Sequence, residues 1–152
     1  MAKKIVLNRI FPALAVAAVL AGCAAGTGKP GVQPEDLRNS AYYITDLMFT
    51  DLDFPTLQRN LYQHRAACGS APRFVMHEGE TSLATLIETS EIPESYEQVV
   101  IADMVQYPES LRSAKKILVQ AYSYYHSSDV QQRLDRMLDA VRRPGNCGAA
   151  AQ

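Results

Sequence analysis

The sequence predicts an α+β fold: an antiparallel sheet of about five strands with two helices on one face, in the order β-α-β-β-β-β-α. Three observations predict it. Several short segments rich in branched and aromatic residues alternate with period two. Two longer segments carry apolar residues at helical spacing between recognisable start and stop signals. The strand-like segments in the middle of the chain are joined by hairpin-length connections, which suits antiparallel pairing and leaves the helices to cover one side.

The first strand is expected at Tyr42–Thr50, where Tyr43, Leu47 and Phe49 fall at even spacing. Asp53-Phe54-Pro55 then offers a cap and a proline suited to a first helical turn. Leu57, Leu61 and Cys68 follow at intervals of four and seven, so the spacing predicts a helix over Pro55–Cys68, stopped by Gly69. Arg73–His77 and Ser82–Thr89 read as a hairpin turned at Glu78-Gly79-Glu80. Ile92-Pro93-Glu94 breaks the chain, a β-rich run resumes over Gln98–Tyr107, and Ser113–Tyr125 is the last strand. In the C-terminal segment Val130, Leu134, Met137, Leu138 and Val141 mark one apolar helical face. Ser128 and Gln131 have the spacing of a capping box at its start, and Pro144-Gly145 ends it.

The N-terminal end is of another kind. Residues 1–9 carry Lys3, Lys4 and Arg9 and no acid, and Ile10–Ala21 is an apolar stretch too short to span a membrane comfortably. It ends in Leu20-Ala21-Gly22-Cys23. This motif resembles the bacterial lipobox at every position. The resemblance implies that residues 1–22 are a signal peptide, that Cys23 becomes the lipidated first residue of the mature protein, and that two or three acyl chains hold it to a membrane essentially permanently. Ala24 stands where enterobacterial lipoproteins carry an aspartate as a retention signal, which implies passage to the outer membrane. Gly and Pro alternate with small residues through Pro34, so residues 23–40 read as a lipidated N-terminus and flexible tether, residues 41–147 as one α+β domain, and residues 148–152 as a disordered tail.

With Cys23 lipidated, Cys68 and Cys147 remain, and an exported compartment is oxidising, so a disulfide between them is expected. It would staple the ends of the two helices over the sheet. Redox or metal chemistry is the alternative, but there is no C-x-x-C spacing, and His64, His77 and His126 fall at no metal-binding interval. No metal or other cofactor is expected.

The net charge of −1 falls to about −4 once the leader's three basic residues are removed. The basic residues that remain are dispersed, with Lys115-Lys116 and Arg142-Arg143 as adjacent pairs, which speaks against a nucleic-acid partner. The composition, 47% hydrophobic and 20% charged, is that of a globular domain rather than a disordered chain.

No nucleophile elbow, phosphate loop, zinc-helix or dinucleotide motif occurs. Candidate acid–base groups are His77 beside Glu78, Asp103 in an apolar strand, and His126 near Asp129. Adjacent strand residues point to opposite faces, so none of these forms a constellation by spacing. Val99, Ile101, Asp103, Val105 and Tyr107 share one side of their strand, with Asp103 as its polar exception. On the last strand Leu118, Tyr122 and Tyr124 occupy one side and Ile117, Val119, Ala121 and Tyr125 the other. With helices on one face only, Leu118, Tyr122 and Tyr124 would form an exposed apolar row suited to a partner, although such rows also arise simply from cross-strand packing.

The element order is similar to that of helix-grip domains, one of which occurs in a lipoprotein component of the outer-membrane protein assembly machine. The likeness is of topology and carries no motif, and a fold does not specify an activity. The expectation is therefore a membrane-anchored envelope lipoprotein acting as a non-catalytic binding module, with an envelope protein as partner. The alternatives are a carrier or sensor of a small apolar ligand held between sheet and helices, and an envelope enzyme built around Asp103 or a histidine.

Overall fold

The computed structural model describes residues 31–39, 43–50, 52–109, 114 and 116–148. The leader, Cys23 and the chain up to Pro30 lie outside them, as do residues 149–152 of the C-terminal tail.

Among the described residues the elements are α1 (Pro34–Arg38), β1 (Tyr43–Thr50), α2 (Phe54–Cys68), β2 (Arg73–Met76), β3 (Leu83–Ile87), β4 (Ile101–Tyr107), β5 (Lys116–Tyr122) and α3 (Ser128–Arg142). The five strands form one antiparallel sheet in the order β1-β5-β4-β3-β2. Strands β2 to β5 are therefore a meander, and α2 carries the chain from β1 at one edge to β2 at the other. The α+β class and the predicted order of strands and long helices are those of the structure.

Local chemistry sets the two long helices. Asp53 caps α2 by accepting from the Thr56 amide at 2.9 Å, Pro55 occupies its first turn, and Gly69 ends it at φ 82°, a left-handed conformation that costs glycine nothing. Ser127 caps α3, its hydroxyl accepting from the Val130 amide at 3.2 Å. The cap thus falls one residue before the predicted Ser128, and the Ser128–Gln131 box does not form. Ser127 has extended backbone, φ −150°, whereas Ser128 is already helical.

Both helices pack on the first face of the sheet. Leu57 and Leu61 from α2, and Val130, Leu134, Met137, Leu138 and Val141 from α3, are buried against Ala84, Leu86, Ala102, Met104, Ile117, Val119 and Ala121. The period-two strands and the 3.6-period helices meet there, and each buried leucine contributes roughly 1.5–3 kcal/mol by removal from water.

Cys68 and Cys147 are bonded, S–S 2.00 Å and Cα–Cα 5.3 Å, across a sequence separation of 79. The disulfide ties the end of α2 to the segment just after α3. Two hydrogen bonds reinforce the junction: Asn60 Nδ2 donates to the Val141 carbonyl at 2.7 Å, and His64 Nδ1 to that of Pro144 at 3.1 Å.

The strand ends are shorter than predicted. The run from Gln98 becomes strand only at Ile101, because the chain before it turns, the Val99 amide donating to the Tyr96 carbonyl, while Tyr96 itself donates to Val32. Of the run from Ser113, Ser113 and Lys115 lie outside the described residues; β5 is strand over Lys116–Tyr122, and Tyr124 and Tyr125 lie beyond its end.

The tether is corrected more substantially. Residues predicted as flexible up to position 40 include α1, which lies on the second face of the sheet with Leu37 fully buried. Asp36 accepts from the Gln33 amide at 2.8 Å and Pro34 begins the helix. Gly31, at φ 93°, passes so close to Ser95 that an added Cβ would lie 2.6 Å from the serine Cβ, and the Val32 amide donates to Ser95 Oγ at 3.2 Å. The segment 31–38 is a strap fastened to the domain.

Candidate functional site

The second face of the sheet is divided into rows by the strand register. Deepest under α1 are Ile87, Ile101 and Tyr122, aligned across β3, β4 and β5. Together with Leu37, Tyr96 and Val99, the two isoleucines form a small buried cluster, and Val32, Val75 and Tyr122 pack against it. The next row is polar: Thr85, Asp103 and Gln120. Beyond it come Leu83, Val105 and Leu118, then Tyr107 and Lys116, where α1 no longer reaches.

The polar row holds a clasp. Arg38, the last residue of α1, grips Asp103 with two parallel bonds, Nε to Oδ2 at 2.7 Å and Nη2 to Oδ1 at 2.8 Å. Arg38 Nη2 also donates to Thr85 Oγ1 at 3.2 Å, and Thr85 donates to Asp103 Oδ1 at 2.8 Å. His77 Nε2 lies 2.9 Å from the same hydroxyl. A hydroxyl has one proton, and Thr85 gives it to Asp103, so His77 Nε2 must carry the proton it shares with Thr85. Every oxygen in the group is then satisfied. The Asp103 hydrogen bond raises the Arg38 pKa above its ordinary value against the opposing effect of burial, so the guanidinium stays charged.

Asp103 therefore sits on the face its alternation predicts, but its two oxygens are occupied by Arg38 and Thr85. The chemistry of this arrangement is fastening: a paired charge with bidentate geometry, side chains only 28% and 20% exposed, that holds a short helix against the sheet. His77 belongs to the same group while Glu78 lies in the following turn, so this adjacent pair does not act together. Asp129, in the first turn of α3, approaches Arg133 at 3.9 Å, and the sequence neighbours His126 and Asp129 flank the Ser127 cap.

Comparison with protein-family models, curated proteins and solved structures returned no match to this chain.

The row Leu118, Tyr122 and Tyr124 does not form one exposed face. Leu118 and Tyr122 share the second face, but Tyr122 packs against the cluster that α1 covers, whereas Leu118 lies in the uncovered part. Tyr124 is past the end of β5 and meets Tyr125 edge to face at 5.1 Å. The Tyr125 hydroxyl donates to Glu97 Oε1 at 2.6 Å, a bond that raises its pKa. The physical reason for the difference is α1: an apolar row that is bare when residues 31–38 are a tether is half covered once they fold.

The part left uncovered is Leu83, Val105 and Leu118, each half-buried, bordered by Tyr107, which is 41% exposed and carries the Lys116 ammonium 5.4 Å from its ring centre. Linear spacing placed Val105, Tyr107 and Leu118 on this side. It did not single out Arg38 or Thr85, which set the boundary of the patch. A local signal for α1 does exist: Pro34-Glu35-Asp36-Leu37-Arg38 has proline and two acids in its first turn and a base in its last, the charge order that favours a helix.

Proposed function

We propose that this chain is a lipid-anchored protein of the bacterial envelope, held at the outer membrane through Cys23, that works by binding another envelope protein and not by catalysis. The anchor rests on Leu20-Ala21-Gly22-Cys23 and the basic, then apolar, segment before it. The binding reading rests on one observation: Leu83, Val105, Tyr107 and Leu118 stay partly exposed as a contiguous patch on the second face, next to a clasp whose groups are already paired. Partly exposed aromatic and aliphatic side chains with a polar rim are the usual make-up of a protein interface.

The two halves of the reading have separate tests. Metabolic labelling with a palmitate analogue should mark the wild-type chain and not Cys23→Ser; equal labelling of both would remove the anchor. A photo-crosslinking amino acid at Leu118, and separately at Tyr107, should capture a protein in living cells, while the same amino acid at Gln131 on α3 should not. Capture of lipid instead would turn the reading toward a small-ligand carrier, and adducts confined to the chain itself would show that the patch is closed by its own residues.

A further inference from the structure

The end of α1 away from the Arg38 clasp borders a groove of about 680 Å³. Pro34 and Glu35 of the strap line one side of it; Ile92, Pro93 and Glu94, from the loop between β3 and β4, line the other, together with Tyr96. Strap and loop are tied to each other. The Val32 amide donates to Ser95 Oγ at 3.2 Å, and the Tyr96 amide donates to the Val32 carbonyl at 2.8 Å. At the start of the loop the Thr89 hydroxyl donates to the Glu91 carbonyl at 2.6 Å. Two proline rings stiffen the lining further, so the groove is formed before anything enters it, which lowers the ordering cost of binding.

The lining joins apolar and acidic groups. Ile92 is 59% exposed, although a large aliphatic side chain gains by leaving water, and Pro34 and Pro93 lie in the same groove. Glu35 meets Arg38 only at 3.6 Å, and that guanidinium is committed to Asp103 by two shorter bonds. Glu94 is exposed and forms no ion pair among the described residues, and the same holds for Glu91, the neighbour of Ile92 in the chain. Among the described residues no lysine or arginine lines the groove. The charge of Glu35 is felt inside it: burial raises the Tyr96 pKa, and Glu35 adds to the rise against Arg38 and Arg73. Apolar groups with an uncompensated carboxylate on either side are complementary to a cationic, partly apolar ligand.

The chain's own ends match the groove poorly. Residues 24–30, AAGTGKP, lead directly into the strap but hold one lysine and no large apolar side chain that could cover Ile92, and residues 149–152, AAAQ, hold no cationic side chain.

We propose that this groove docks a short basic segment of a partner protein, with an apolar side chain against Ile92 and lysine or arginine on Glu35 and Glu94. The groove lies at one end of α1 and the Leu118 patch beyond the other, so the two sites stand or fall independently.

The test is selection from a random-peptide display library on the full chain purified in neutral detergent, followed by affinity measurements with a selected peptide. Enrichment of peptides that carry two or more Lys or Arg residues beside a large apolar residue is expected. Affinity should fall on the order of tenfold in the double variant Glu35→Gln with Glu94→Gln, by a similar factor in Ile92→Ser, and progressively as salt rises. All three positions are exposed and glutamine keeps the shape of glutamate, so the variants should fold, which their unfolding midpoints would check. Leu118→Asp, which alters the other patch, should leave the affinity unchanged. No enrichment, peptides without a basic excess, or equal affinity for wild type and the double variant would overturn the proposal. A loss in Leu118→Asp matching that in Ile92→Ser would put the peptides on the other patch, with the same consequence. Basic peptides that bind only after residues 24–30 are replaced by a Gly-Ser sequence would also overturn it, because the occupant would then be the chain's own N-terminal segment.

Discussion

On the first face of the sheet, two 15-residue helices bury a continuous apolar layer; on the second, a 5-residue helix buries one leucine and is fastened by an arginine. The contrast shows how a thin layer is kept in place when it cannot be held by area. Isolated helices as short as α1 are not stable in water, so its order must come from tertiary contacts. Leu37 provides the apolar contact, and Arg38, with two bonds to Asp103, fixes its position along the strand. The first face is held by many interchangeable contacts and the second by a few specific ones.

Removing the disulfide should have the largest effect on this comparison. Closing a loop of this length is worth about 4 kcal/mol in the chain-entropy model. Cys68→Ser with Cys147→Ser should lower the unfolding free energy by an amount of that order, read from a denaturant midpoint, with the first face loosening first at the α2–α3 junction. A loss no greater than that of an ordinary surface substitution would mean that the junction is held by Asn60 and His64 instead.

Next comes Leu134→Ala, at a fully buried position on the sheet-facing side of α3. It should cost roughly 2–5 kcal/mol and act on the whole domain, so every slowly exchanging amide should exchange faster together.

Arg38→Ala should behave differently. It removes one partner of a partly buried pair, for which a loss of about 1–2 kcal/mol is expected, between the values for exposed and fully buried pairs. Hydrogen exchange should show the amides of Leu37 and Asn39 losing protection while those of β4 and β5 keep theirs. Uniform loss across the sheet would show that the two faces are not separable. A double-mutant cycle with Asp103→Ala would sharpen the point, since most of the effect of either change should vanish in the presence of the other.

The smallest effect concerns pH. Burial raises the pKa of Tyr96, the phenol in the second-face cluster, and the nearby Glu35 charge adds to the rise, against Arg38 and Arg73. A phenol whose pKa is raised by folding contributes stability that is fully present below the ordinary tyrosine range, about 10, and is lost as pH rises through the raised value. Wild type should therefore lose stability above about pH 10 more steeply than Tyr96→Phe. Parallel alkaline limbs in thermal unfolding would refute it.

How much of this was legible in the sequence follows the same division. The first face was readable because its signals are local: the apolar spacing from Val130 to Val141, the Asp53 cap with Pro55, and the alternation in β4 and β5 each repeat within one element. The cysteine pair was readable from its count and from the oxidising compartment that the lipobox-like leader implies. The second face was not, because Arg38 and Asp103 are 65 positions apart and Thr85 lies between them in sequence without any periodic relation to either. Tyr122 illustrates the cost: alternation placed it on the correct face, but whether that face was bare depended on residues whose glycines and prolines read as a linker.

The folding of residues 31–38 also changes a length. If the chain is anchored through Cys23 as proposed, a tether free as far as residue 40 would allow the domain to stand off by up to about 60 Å, whereas one fastened from Gly31 would allow roughly 28 Å. The domain would then work within a thin shell against the bilayer, and any protein it meets must itself come to the membrane surface.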